Sequence, residues 1–545
     1  MNFLRAAQLA LTPLSPIHIG CGEDFEPTNY VIEGGLLYGF DPSRAVLPEN
    51  LRQRLGQLGD KADLLGIQRF FREHRQHFIP HAHVLMPVAA GLADDYEKQV
   101  GKVANNEGNG NHVFNQLFIE RASHSGNHPY IPGSSFKGAL RTTLIDVINN
   151  GRRITDPEER KRSDRLEKRL LEGDFSTSPL RLIKAADFMP TGEVARQVLY
   201  AVNRKKDKVI DQRTGLERQP RGIAARKECI AHGQYRALVS SMVIQDLSPH
   251  SSPKTTPSEV LRPKNLAQIA QHCNRYHLPR LTREIAVLDN RGLLNPAWKK
   301  SIDSLLSGEV GKMLNSGQAM LIRLGRYGGA ESKTLSGDGV AQIKIMQGKG
   351  TPPVYQSTTK TDWLAAQSAN DQKHLIPFGW ALIEIDPQHE LTDLKAWCDR
   401  ETAQRPDMQA IYAEFARAQA NAVEQKNLQL AQRAAFEAAE QAKKDEETRR
   451  EAQRQAMTPA QREIDAFITE CQQRAEQLRG SKDRPNTTYH AKASTLARTA
   501  LESAAWTPEE KAMAADAIEE WLPKVVAIEV KEMRKKLKLS ALRGL

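Results

Sequence analysis

The residues best suited to chemistry lie in the run Tyr130-Ile131-Pro132-Gly133-Ser134-Ser135-Phe136-Lys137-Gly138-Ala139-Leu140-Arg141. A Pro-Gly turn is followed by two small hydroxyl residues and the start of a helical pattern. Amide N–H groups in the first helical turn have no partner within the helix and sit at its positive end. Such a start is a natural seat for a phosphate. Lys137 and Arg141 are four apart, so they share one helix face and add a point charge and a forked donor. The spacing is not Gly-x-x-x-x-Gly-Lys-Ser/Thr, which argues against nucleotide hydrolysis. An ordinary capped helix would show the same bare pattern.

A second loop offers related chemistry. In Leu321–Leu335 an apolar strand opens into Gly325, Gly328 and Gly329, whose backbone could approach phosphates closely. Arg323, Arg326 and Lys333 surround it with positive charge. A basic tip, Asn203-Arg204-Lys205-Lys206-Asp207-Lys208, follows the strand-like Val198–Val202 and could equally contact RNA or be a solvated turn. The net charge of +11 favours an anionic partner. Apolar runs such as Ala237–Ile244 fall far short of the ~20 residues of a membrane span, and the N-terminus reads as a strand and not a signal peptide. Five scattered cysteines without a Cys-x-x-Cys pair read as reduced thiols. A soluble, cytoplasmic protein with no membrane partner is the expectation.

Histidines and carboxylates give weaker signals. His18, between Ile17 and Ile19 in the apolar run Ala7–Ile19, could serve as a general acid or base. A hydrogen-bonded structural role or a passive RNA contact is the plainer reading. The groups His74, His77, His81, His83 and His272, Cys273, His277 have spacings open to Zn²⁺, but neither has Cys-pair support, so no metal site is assigned. Asp24, Asp187 and Asp246 are available carboxylates outside any motif.

The elements that must position these residues fall into two regimes. Up to about residue 400, short apolar runs alternate with Gly, Pro, Asn and Ser, as α+β domains do. The strand-like runs include Ala7–Ile19, Tyr30–Phe40, Leu180–Phe188, Ala237–Ile244, Gln318–Leu324 and Trp380–Ile385. Helical spacing is read at Ser135–Asn149 and within Leu51–His77. Gly151–Arg169 and Asp207–Arg221 read as polar insertions, exposed and not core. Residues 401–457 read as a long charged, Ala-rich helix or linker. Thr458-Pro459-Ala460-Gln461 and Thr507-Pro508-Glu509-Glu510 repeat one helix-start signature, so residues 458–545 form an expected small domain of about four helices.

Four landmarks then stand in order over roughly residues 5–390. They are Leu14-Ser15-Pro16-Ile17-His18-Ile19-Gly20, the Ile131–Arg141 turn, the Gly325–Thr334 loop, and Pro377-Phe378-Gly379-Trp380. Together they resemble the RAMP superfamily of CRISPR-associated proteins, in particular the subunits that cap the 3′ end of the guide RNA in type III-A effector complexes. The resemblance implies ferredoxin-like (RRM-type) sheets in residues 1–400, with the all-α extension outside its reach. It implies crRNA and other Csm-type RAMP subunits as partners, leaves target RNA open as a third, and calls for no cofactor. It places Gly133, Ser134, Ser135, Lys137 and Arg141 against the guide backbone and makes Gly325, Gly328 and Gly329 the family's glycine-rich loop. On their own chemistry, Arg323, Arg326 and Lys333 around that loop, Arg204, Lys205 and Lys206 of the basic tip, and His18 complete the candidate RNA contacts. A non-catalytic role is the first expectation; a RAMP-type endoribonuclease using His18 is the alternative.

Overall fold

The computed structural model describes residues 4–107, 111–114, 117–122, 128–173, 178–218, 222, 224–245, 265–337, 340, 343–348 and 350–545. The chain divides into two compact units, Met1–Val423 and Glu424–Leu545.

In the first unit the strand Leu4–Pro13 lies inside a six-stranded sheet. It pairs antiparallel with Leu238–Gln245 on one side and Trp380–Ile385 on the other. Ile183–Ala185 and Met189–Pro190 pair antiparallel with Leu238–Gln245, and Ala319–Arg323 extends the sheet beyond Trp380–Ile385. The helix Gly133–Asn149 connects the first strand to Ile183–Pro190, and Leu266–Asn290 follows Leu238–Gln245. This is the β-α-β-β-α-β order of a ferredoxin-like domain, with one added edge strand. Strand periodicity explains the packing. Leu9, Leu11, Met242, Ala381 and Ile383 join Phe136, Leu140, Ile269 and Cys273 of the two helices in one core. Leu321, Trp380 and Leu382 point the other way into a second core.

A second six-stranded sheet runs Ile376–Pro377, Thr361–Ala366, Arg196–Lys205, Ala225–Ile230, Ile119–Glu120, Asp24–Phe25. Tyr30–Phe40 is not one strand but a hairpin, Tyr30–Glu33 with Leu36–Phe40. Gly34 and Gly35 turn it with φ of 58° and 77°, which a two-residue hairpin loop demands. The run Ala7–Ile19 likewise ends early as a strand, at Pro13, because prolines 13 and 16 bring no amide N–H to a ladder. Leu14 and Ser15 instead donate to the Trp380 carbonyl at 2.9 and 3.1 Å.

The insertion at Gly151–Arg169 is mostly exposed, as expected, but it is helical and not irregular. Asp156 caps the short helix Pro157–Lys161, and Ser163–Leu170 follows. Leu166 and Leu170, four apart, bury a small apolar cluster with Ile154 and Val340 against Ile145, Ile148 and Leu335. In Asp207–Arg221, Ile210 bridges to Glu217 and Asp211 binds Arg218, while residues 219–221 lie outside the described residues.

The helix Met408–Ala456 buries none of its residues. Pairs four apart, such as Arg433–Glu437 and Arg450–Glu446, lie along it. In the second unit Thr458 and Thr507 both form reciprocal capping boxes, with Gln461 and Glu510. The helices Pro459–Leu478, Thr488–Glu502 and Pro508–Val525 enclose a core that includes Phe467, Leu496, Ile518 and Leu522. Near the C-terminus the helices Val530–Lys536 and Leu539–Leu542 are separated at Lys538, whose φ is 50°, and Arg534 pairs with Glu519 and Lys536 with Glu532.

Candidate functional site

A groove of about 950 Å³ gathers the two loops singled out by sequence. One wall is a face of the Gly133–Asn149 helix carrying Ser135, Gly138, Arg141 and Thr142. Opposite lies the glycine loop with Gly325, Arg326, Gly328 and Lys333, and beside it the Ile19-Gly20 turn. The insertion supplies a third wall through Ile154, Arg160 and Glu167. Asp146 ties the helix to the end of the loop by accepting from the Ser336 N–H and, at 2.9 Å, from its hydroxyl. No aromatic side chain lines the groove among the described residues. Charged, hydroxyl and backbone groups suit a phosphate-sugar chain, and stacking of bases is not provided for.

The helix uses its side, not its end. The Gly133 N–H donates to the Asp187 carboxylate at 2.7 Å, and that of Ser135 to the Pro132 carbonyl at 2.9 Å. The first turn is therefore partly satisfied by the protein itself. A Cβ on Gly133 would lie 2.6 Å from the carbonyl oxygens of Ala185 and Ala186, so this glycine answers a close backbone crossing. Ser134 is exposed and Lys137 half-buried, and neither lines the groove. Burial, with Lys184 nearby, pushes the Lys137 ammonium below its usual pKa.

The predicted cations divide by what holds them. Arg141, half-exposed, forms a two-pronged pair with Glu167. Arg326 pairs with Glu120, which also binds Lys227. Burial alone would raise Glu120, but Lys227, His18 and Arg326 hold it below the usual carboxylate range. Lys333 is exposed at the groove. Arg323 borders the groove, yet its guanidinium is taken by Glu284 at 2.8 Å and the Phe378 carbonyl at 2.9 Å, over the Trp380 ring. Arg204 is buried on the carbonyls of Asp371 and Asn203. Lys206 holds Glu331 at 2.6 Å and Asp362 at 3.2 Å, so it anchors the glycine loop from beneath. Lys205 sits at the strand end opposite Thr361. Arg204, Lys205 and Lys206 thus stand apart from the groove lining, as does Gly329.

His18 is fully buried and outside the strand. Its Nδ1 lies 2.7 Å from the Glu228 carbonyl, which can only accept, so Nδ1 carries the hydrogen. Nε2 is 3.5 Å from Glu120 Oε1. Burial lowers its pKa below the ordinary histidine value, which favours the neutral ring. Among the described residues, no group of three His, Cys, Asp or Glu is placed to hold a metal ion. Of the free carboxylates, Asp187 caps the helix, Asp24 lies on an edge strand, and Asp246 is outside the described residues. Sequence reasoning missed Glu120 and Glu167, which sit in mixed-charge surroundings with no motif of their own.

Residues 10–233 match the family described as the RAMP superfamily. This stretch is a RAMP region. It contains the central strand, the Gly133 helix and much of the second sheet, and the RAMP fold is ferredoxin-like, as the first sheet is. A relative in Streptococcus thermophilus, the CRISPR system Cms protein Csm5, is 28% identical over 169 residues, which cover 29% of this chain. The chain spans 45% of that relative's length. Among solved structures, a chain of a Csm–crRNA–target RNA ternary complex of a type III-A CRISPR–Cas system is 14% identical with a TM-score of 0.43, covering 70% of this chain and all (100%) of the other. Csm5 of T. onnurineus is 14% identical with a TM-score of 0.41, covering 69% and 99%. The matched residues supply the helix wall, the Ile19-Gly20 turn and the insertion wall, and the glycine loop lies beyond them. No helix among the described residues is long and apolar enough to cross a membrane.

Proposed function

We propose that this protein is a non-catalytic RNA-binding subunit of a type III-A CRISPR effector complex. Its groove would hold the backbone of the 3′ part of the crRNA, and the protein would cap the filament beside other Csm-type RAMP subunits, with target RNA nearby. In that place it aids crRNA maturation and antiviral defence. The observation that carries this reading is the convergence of Arg141, Arg326 and Lys333 with glycine and hydroxyl groups in one groove, which no aromatic ring lines among the described residues. Such a lining grips backbone without reading bases, so affinity should fall steeply with salt. The RAMP match and the similarity to a Csm5 protein support the choice of RNA over other polyanions.

The endoribonuclease alternative asks His18 to reach a scissile phosphate. A fully buried ring with Nδ1 committed to a carbonyl speaks against that role and for a structural one. The test is the RNA content of the complex purified with Arg141→Ala and Lys333→Ala together. Loss of co-purifying crRNA with the protein still folded is expected. Full RNA content would refute the groove as the binding surface.

A further inference from the structure

Two of the arginines that line the groove are paired to carboxylates that also line it, Arg141 to Glu167 and Arg326 to Glu120. The Arg141 pair is the telling one. Both Glu167 oxygens engage the guanidinium fork, through Nε and Nη2. A phosphate presents two oxygens to arginine in the same parallel way, so carboxylate and phosphate compete for one fork. Glu120 is different in kind, because it also neutralises the nearly buried Lys227 and its loss would strand that charge.

Glu167 does not belong to the helix it neutralises. It comes from the short helix Ser163–Leu170 of the insertion, the third wall of the groove. That insertion is held within itself by Arg169–Glu159, packs Ile154, Leu166 and Leu170 with Val340 against Ile145 and Ile148, and is followed by Leu171 in the first core. Arg141–Glu167 is therefore an electrostatic clasp between two walls of the groove, beside the apolar contact of Leu166 and Leu170 with Ile145 and Ile148.

Resting on the RNA-binding reading above, we infer that Glu167 is a resident stand-in for an RNA phosphate: entering backbone takes Arg141 from it, and the insertion is released as the groove fills. Glu167 thus sets the affinity threshold of the groove by competition and need not touch RNA itself.

The full-length protein and a fluorescein-labelled oligouridine RNA provide the test, with dissociation constants read by anisotropy at fixed salt. Glu167→Gln keeps the side-chain size and removes the charge. It should tighten binding by about tenfold. In an Arg141→Ala background the same change should leave affinity unaltered, because the clasp is already open. Hydrogen exchange in residues 163–171 should rise on adding RNA to the wild type. Failure of Glu167→Gln to tighten binding, or equal tightening without Arg141, overturns the inference. If Arg141→Ala weakens binding in those same experiments, the groove reading survives; if Arg141→Ala binds as the wild type does, the groove reading itself fails.

Discussion

The backbone N–H of Arg326 donates to the carbonyl oxygen of His18 at 2.8 Å, joining the first sequence landmark to the third. The fourth joins the same knot, since Leu324 N–H donates to the Gly379 carbonyl at 2.8 Å and Gly379 N–H to the Pro16 carbonyl at 2.9 Å. Two glycines make this possible. A Cβ on Gly325 would sit 2.3 Å from the His18 oxygen, and one on Gly379 2.3 Å from the Leu324 oxygen, with φ of 81° and 89°.

Gly325→Ala and Gly379→Ala should therefore each destabilise the first unit by at least ~1–3 kcal/mol, from left-handed backbone strain and steric clash together. Thermal or urea unfolding of purified variants checks this. An unchanged transition would show that the knot relaxes freely.

Arg196 and Glu228 form a pair whose side chains are 2% and 1% exposed. Truncating the arginine leaves a buried carboxylate that the Ala122 N–H, at 2.9 Å, only partly compensates. Arg196→Ala should cost about 3–5 kcal/mol. Because the Glu228 carbonyl orients His18, the variant should also move the His18 ring resonances in an NMR spectrum.

His277 is buried between Tyr276 and Trp380, and burial, with Arg280 and Arg323 nearby, pushes its pKa down to about 3. An unfolded histidine titrates near ~6.5, so between those values the unfolded chain binds the extra proton. The stabilisation from the neutral ring is complete above pH ~6.5 and is lost as pH falls, by up to ~1.4 kcal/mol per unit. His277→Phe should flatten that slope in denaturant titrations between about pH 6 and pH 4. An identical slope would show that His277 does not govern it.

Thr458→Ala and Thr507→Ala remove the capping-box hydroxyls of two helices in the second unit. Each should destabilise that unit by ~1 kcal/mol. Fragment 424–545 would report the change by circular dichroism if it folds alone; in the full chain, hydrogen exchange of Pro459–Leu478 and Pro508–Val525 serves.

Much of this architecture was legible in sequence because it is local. The Thr-Pro-x-Gln and Thr-Pro-Glu-Glu signatures are complete within four residues, and both became capping boxes. Strand alternation in Trp380–Ile385 was visible because one face meets each of two cores. What could not be read depended on contacts between distant segments. Gly133 and Gly325 looked like residues that admit a ligand, whereas each admits another part of the backbone. Arg204, Lys206 and Arg323 looked like free cations, but Asp371, Glu331 and Glu284 lie far along the chain. The wall carrying Glu167 was obscured by its charge density, which hid the Leu166–Leu170 spacing.

The glycine knot also shapes how genetics on this protein must be interpreted. A mutational scan scored by immunity alone would flag Gly133, Gly325 and Gly379 beside Arg141 and Lys333, and would draw one contiguous footprint. That footprint mixes two phenotypes. Scoring the same library for protein abundance would strip the glycines from the map and leave Arg141 and Lys333, the side chains proposed to meet RNA.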